Sequence, residues 1–111
     1  MQMDVDEPVV GITRIVLSGD LDARGSGEID VQFSAVAASR PKVVVDLTQV
    51  AFLASIGIRT LMLAAKANNR KGGKLVLLDP SDAVHKVLRT SGADTVLPVV
   101  RGLDSALAAV A

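Results

Sequence analysis

"KVVVDLTQVAFLASIGIRTL", Lys42 to Leu61, is the stretch on which the fold turns. Its first six residues, Lys42 to Leu47, make a nearly continuous apolar run of the kind buried on both faces of a parallel sheet. Thr48 to Ala54 reads as a short connection. From Ser55 the pattern changes to a helix reaching about Arg70, with Ile58, Leu61, Met62 and Ala65 forming one apolar stripe at helical spacing. Ser55 falls where an N-cap is expected, and a serine oxygen there satisfies an orphan backbone N–H. Gly57 follows in the first turn, although glycine costs about 1 kcal/mol against alanine inside a helix. Close approach of another backbone, or of a bulky substituent on Ser55, would supply the reason.

Outward from this block, strands and helices alternate. "ITRIVLS", Ile12 to Ser18, is a strand ended by Gly19, and Met3 to Val5 is placed to pair with it across a turn from Pro8 to Gly11. After "GDLDARGSG", Ser26 is the expected cap of a helix with Glu28 and Asp30 in its first turn, and Ile29, Phe33, Val36 and Ala37 give it an apolar face. That helix should stop near Ser39, because Pro41 disfavours helical geometry just before it. "KLVLLD", Lys74 to Asp79, reads as another buried strand, entered after a glycine stop at "KGG". Pro80 and Ser81 open a third helix to about Thr90, ended by Ser91 and Gly92. "TVLPVV" is a weak strand that Pro98 marks as an edge, and a last helix starts at Leu103. Such alternation implies crossover connections, and hence an α/β fold with a mixed, mostly parallel sheet of four to five strands against about four helices.

The chain has 111 residues, which points to one domain over residues 1–111. Half of its residues are hydrophobic yet its only aromatics are Phe33 and Phe52, so the core is expected to be aliphatic and no platform for stacking bases exists. Twelve basic residues balance twelve acidic ones, which gives neither nucleic acid nor an anionic membrane a reason to bind. The absence of cysteine excludes disulfides, thiol catalysis and thiolate metal sites, and fits a reducing compartment. No basic-then-apolar leader opens the sequence, and no apolar run reaches the ~18 residues of a membrane span. A cytoplasmic location is expected.

Enzyme motifs are weak. His85 is the sole histidine, so a hydrolase triad would need Ser55, His85 and Asp46 to converge without a local signature. A solvated or half-buried helical histidine is the simpler reading. Asp20 and Asp22 lack the histidine or loop spacing of a metal site and read as a solvated acidic loop. "GSG", Gly25 to Gly27, lacks the third glycine of a dinucleotide loop and reads as flexibility before a helix. "KGG", Lys71 to Gly73, sits at a helix end, whereas phosphate loops require a helix beginning. No metal or cofactor is implied. What remains is a hydroxyl at a helix mouth with no general base of its own, suited to being modified.

In order along the chain, "LSGDLD", "VVVDLTQVAFLASIGIRTL" and "GGKLVLLDPS" resemble the conserved blocks of the STAS domain of bacterial anti-sigma-factor antagonists. The central block is the specific one, and the three with their spacing span nearly the whole chain. This resemblance implies that Ser55, in Ser55-Ile56-Gly57, is phosphorylated by an anti-sigma factor that is also a serine kinase. Unmodified antagonist captures the kinase and frees a sigma factor for transcription; phosphorylated antagonist lets go, and a phosphoserine phosphatase resets it. ATP and Mg²⁺ then belong to the kinase. Asp22 matches the loop aspartate beside the phosphosite, and Asp20 the acid before it. Where the family usually has Asp before the serine, this chain has Ala54, and Ile56 stands in place of a small or polar residue. The alternative is a STAS interaction or sensor module that works without a phosphoserine cycle. Arg59, Leu63, Lys66 and Arg70 form a second stripe on the helix after Ser55. It reads either as a solvated basic face or as a docking face with Leu63 as anchor. With Asp20, Asp22, Ala54, Ile56 and Gly57, the residues Arg59, Leu63 and Lys66 are the expected partner contacts.

Overall fold

The computed structural model describes residues 1–111 as one five-stranded sheet with four helices. Along the chain run β1 (Gln2–Val9), β2 (Ile12–Leu21), α1 (Ala23–Ser39), β3 (Lys42–Leu53), α2 (Ser55–Arg70), β4 (Lys74–Leu78), α3 (Asp82–Thr90), β5 (Val99–Val100) and α4 (Leu103–Val110). A single 3₁₀ turn, Ala93–Thr95, lies between α3 and β5. Spatial order follows chain order, β1-β2-β3-β4-β5. β1 is antiparallel to β2, and all other neighbours are parallel. No helix is long and apolar enough to cross a membrane.

Both faces of the sheet are covered, unequally. Ile15, Leu17, Val43, Val45, Leu47 and Leu77 face the larger core with Phe33 of α1, Leu61 of α2 and Leu88 of α3. Val44, Val76 and Leu78 face the smaller one beneath Ala106 and Val110 of α4. Val43, Val44 and Val45 are each fully buried, which is why Lys42 to Leu47 carries no polar alternation until Asp46.

The strand does not stop there, as the sequence reading expected, but continues to Leu53. Its pairing with β2 slips twice, between Val16/Ser18 and between Gly19/Asp20, so β3 carries extra residues at both places. Leu47, Val50 and Leu53 point inward while Thr48, Gln49, Ala51 and Phe52 are exposed. That three-residue period hides a strand from a search for alternation. The Asp46 carboxylate accepts from the Thr48 N–H at 2.9 Å and the Thr48 hydroxyl at 2.6 Å, and so fixes the first slip.

Other boundaries shift for local reasons. β1 spans eight residues, longer than Met3 to Val5, and turns at Val10 and Gly11. Gly19 lies within β2, which continues to Leu21. α1 begins at Ala23, capped by Asp22 and not by Ser26: the Asp22 carboxylate accepts from the Gly25 N–H at 2.8 Å. Gly25, Ser26 and Gly27 are therefore helical. A Cβ on Gly25 would run into the Asp20 carbonyl oxygen, so this glycine serves close packing, not flexibility. Glu28 lies beyond the first turn and pairs with the N-terminal amine of Met1 at 2.7 Å, which holds its carboxyl below the usual range. Asn68 of α2 donates to the carbonyls of Ala37 at 3.1 Å and Arg40 at 2.8 Å, tying the end of α1 to α2. α3, expected to open at Pro80 and Ser81, begins at Asp82 with Ser81 as its cap, accepting from the Val84 N–H at 3.2 Å. β5 shrinks to two residues after Pro98 and forms the edge opposite β1.

Candidate functional site

The C-terminal ends of β2 and β3 meet at one corner of the sheet, and there α2 begins. Ala54 donates its N–H to the Leu21 carbonyl at 3.0 Å, which ties the start of α2 to the segment between Asp20 and Asp22. Gly57 is buried against the same residue. A Cβ there would strike the Leu21 carbonyl oxygen and come within 2.9 Å of the Leu53 Cδ1. The helix-weakening glycine is thus explained by close approach of a second backbone. Gly57 shapes the corner from beneath and offers a partner no surface of its own.

Ser55 is not the N-cap. Ala54 occupies that position, with extended backbone (φ −98°, ψ 169°) and no side chain able to cap. The helical ladder opens with the Ile58 N–H on the Ala54 carbonyl at 3.1 Å. Ser55 is the first helical residue and exposed, and its hydroxyl makes no hydrogen bond within the chain. The structural reason for a serine at this position therefore falls away.

Ser55, Ile56, Arg59, Leu63, Lys66 and Arg70 are all exposed and lie within about a third of a turn of one another, so they share one outer face of α2. Leu63 is 45% exposed, Ile56 40% and Phe52, at the end of β3, 55%. Leu63 is therefore a surface residue, while Ile58, Leu61 and Ala65 take the inner face as expected. The sequence reading missed Phe52 because the slips in β3 turn it outward; Leu53 beside it is core. Arg59, Lys66 and Arg70 take part in no ion pair, since the salt bridges are Met1–Glu28 and Arg14–Asp6.

Asp20 and Asp22 flank Leu21 and line a shallow depression of about 320 Å³ with Met1, Arg24, Gly25 and Glu28. Asp22 is occupied in capping α1. No group of three or more His, Asp or Glu side chains is placed to hold a metal ion. On the other side of Ser55 a cleft of about 340 Å³ separates it from α3, lined by Ser55, Ile58, Lys86, Val87, Thr90 and Ser91. The α3 side of this cleft carries no motif, and only the fold brings it to Ser55.

Ser55, His85 and Asp46 do not assemble. His85 lies on α3, whose Val84 and Leu88 enter the larger core, whereas Asp46 alternates with Val44 toward the face covered by α4. The Asp46 carboxylate is taken by Thr48, and His85 Nδ1 faces the Arg101 guanidinium at 3.0 Å. Guanidinium only donates, so Nδ1 is the acceptor in this contact.

Comparison with known proteins agrees with this architecture. The family profile described as Mlab, STAS domain, matches residues 10–109. BtrV of Bordetella bronchiseptica, a candidate anti-sigma factor antagonist, is 27% identical over 110 residues, covering 98% of this chain and 94% of its own. An anti-sigma F factor antagonist of Paenibacillus polymyxa is 29% identical over 91 residues, covering 80% of this chain and 78% of its own. Among solved structures, an anti-sigma factor antagonist from Mycobacterium paratuberculosis superposes with a TM-score of 0.87 at 26% identity, over 98% of this chain and 92% of its own.

Proposed function

This chain belongs to the STAS domain family of anti-sigma-factor antagonists, and from that premise we propose that it captures an anti-sigma serine kinase at the Ser55 corner and is released when Ser55 is phosphorylated. The observation that carries this is the Ser55 hydroxyl: exposed, unbonded, and not needed to cap its helix. Around it, Phe52, Ile56 and Leu63 offer apolar contact, and Arg59, Lys66 and Arg70 form a charged rim, the usual arrangement of an apolar anchor within a polar border. Asp20, Asp22 and Ala54 complete the contact on the β2 side.

In the transfer step the Ser55 Oγ attacks the γ-phosphorus of ATP held with Mg²⁺ by the kinase. The Oγ–P bond forms, the bond to the β-phosphate oxygen breaks, ADP leaves, and the hydroxyl proton passes to a base on the kinase. This chain supplies no base. A phosphatase reverses the modification with water, giving serine and inorganic phosphate. The resulting dianion adds charge beside the apolar contact of Phe52, Ala54 and Ile56, which a docked partner would have to desolvate, so the kinase lets go and recaptures its sigma factor. Ala54 in place of an acid favours one competing reading, a STAS interaction module that docks through the same surface without a phosphate cycle.

Incubation with the cognate anti-sigma kinase and Mg-ATP, followed by phosphopeptide mapping, separates the two. Phosphate on Ser55, abolished in Ser55→Ala, supports the switch. Tight binding with Ser55 left unmodified supports the module.

A further inference from the structure

Resting on the reading of Ser55 as a phosphoacceptor, we infer that the phosphate, once attached, is received within this chain by Lys86 across the cleft between α2 and α3. Ser55 and Lys86 are opposite walls of that one cleft of about 340 Å³. Lys86 is exposed and takes part in no ion pair, so its ammonium has no partner to give up. Thr90, one turn along, lines the same cleft, and its hydroxyl makes no hydrogen bond in the structure. A phosphate reaching into the cleft meets one ammonium and one free hydroxyl donor. Both suit its acceptor oxygens.

The surrounding charges leave Lys86 as the favoured counterion. Within α3, neither Asp82 nor Arg89 lines the cleft, and Asp82, one turn before Lys86 on the same side of the helix, makes no ion pair with it. Asp20 and Asp22 stand on the β2 side and repel a dianion away from themselves, toward the cleft. Asp22 is held there by the Gly25 N–H. Arg59 is the rival cation, one turn along α2, but it belongs to the solvated outer face and does not line the cleft. Ile58 and Val87 give the cleft apolar walls, so a pair formed within it is screened less than one formed outside. Phosphorylation on this account does more than add charge at the rim. It occupies the Ser55 side of the cleft and bridges α2 to α3, removing from a partner the open hydroxyl and the part of the groove beside it.

The test uses the full chain with phosphoserine placed at position 55 during translation, so that no kinase is required. Phosphorus NMR titration reads the second ionisation of the phosphate, near 6 in an isolated phosphoserine. A nearby cation favours the dianion, so Lys86→Met should raise this pKa by about half a unit relative to the parent phosphoprotein. Lys86→Arg should keep it low, and about 1 M salt, where the Debye length is roughly 3 Å, should shrink the difference. Arg59→Met should leave it nearly unchanged. Lys86 is exposed, and unchanged circular dichroism will confirm that its variants are folded. An unmoved pKa in folded Lys86→Met overturns the assignment, and a rise in Arg59→Met alone places the phosphate on the outer face instead. Failure of a kinase to modify Ser55 would be a separate result, bearing on the proposed function and not on this geometry.

Discussion

Replacing Ala54 with Asp should stabilise the protein, although it adds a third carboxylate to a corner that already holds Asp20 and Asp22. Ala54 has the extended backbone of an N-cap and contributes no side-chain acceptor to the first turn of α2. An Asp there can accept from an N–H of that turn, a difference of typically about 1 kcal/mol against alanine. The positive end of the helix favours the same charge by roughly 0.3–1 kcal/mol. Repulsion from the two aspartates opposes this, but exposed charges are screened and each repulsion is of similar small size. The net expectation is a gain of about 1 kcal/mol, or about 4 °C in thermal midpoint for a chain of this length. Urea and thermal unfolding of the parent, Ala54→Asp and Ala54→Asn measure it. Asn tests the cap without the charge, and should recover most of the gain. An unchanged or lowered midpoint in both variants would refute the assignment of Ala54 as a vacant cap.

Gly57→Ala sets two effects against each other: helix propensity favours alanine by about 1 kcal/mol, whereas the added methyl strikes the Leu21 carbonyl oxygen and Leu53. Packing should win, with a loss of about 2 kcal/mol in urea unfolding, and a stabilised variant would show that the corner has room. Leu63→Asp should leave stability within about 1 kcal/mol, because Leu63 is half exposed, yet weaken kinase binding by roughly tenfold in calorimetric titration. Unaltered affinity would remove the outer face of α2 from the interface. Arg14 beside Asp6 holds the Asp6 carboxyl below its usual range, chiefly through their hydrogen bonds. Its contribution is therefore present above the unfolded-state carboxyl pKa and is lost as pH falls through the depressed one. Asp6→Asn should flatten that acid limb by about 0.5 kcal/mol at most, since the pair is exposed, and an unchanged slope would mean the pair contributes nothing.

What could be read from the residues depended on whether the signal was local. Lys42 to Leu47 and Lys74 to Leu78 are recognisable because both faces are buried, and the start of α3 because Pro80 and Ser81 mark a helix opening. The second half of β3 was illegible because register slips replace alternation with a three-residue period. The first turn of α1 was missed because Gly25 and Gly27 resemble a flexible loop, whereas contact with the Asp20 carbonyl is what requires Gly25. At the site, the stripe of Arg59, Leu63, Lys66 and Arg70 was visible from helical spacing alone. Phe52 and the α3 wall of the cleft depend on tertiary placement, and nothing in their own neighbourhoods announces them.

The one-residue difference between Ser55 as cap and Ser55 as first helical residue separates stability from regulation. A capping serine has its oxygen committed to the helix, so a kinase would have to break that hydrogen bond, worth about 1 kcal/mol, to reach it. At its observed position the Ser55 oxygen holds nothing in place, and the fold already stands with Ala54 uncapped. The backbone of the corner is fixed by contacts that do not pass through the hydroxyl: the Ala54 N–H on the Leu21 carbonyl, and Gly57 packed against Leu21 and Leu53. On the proposed reading, modification of Ser55 would therefore change what the surface can bind without withdrawing an interaction from the fold. The proposed switch should then reverse fully when the phosphate is removed, because neither state would have to rebuild the corner.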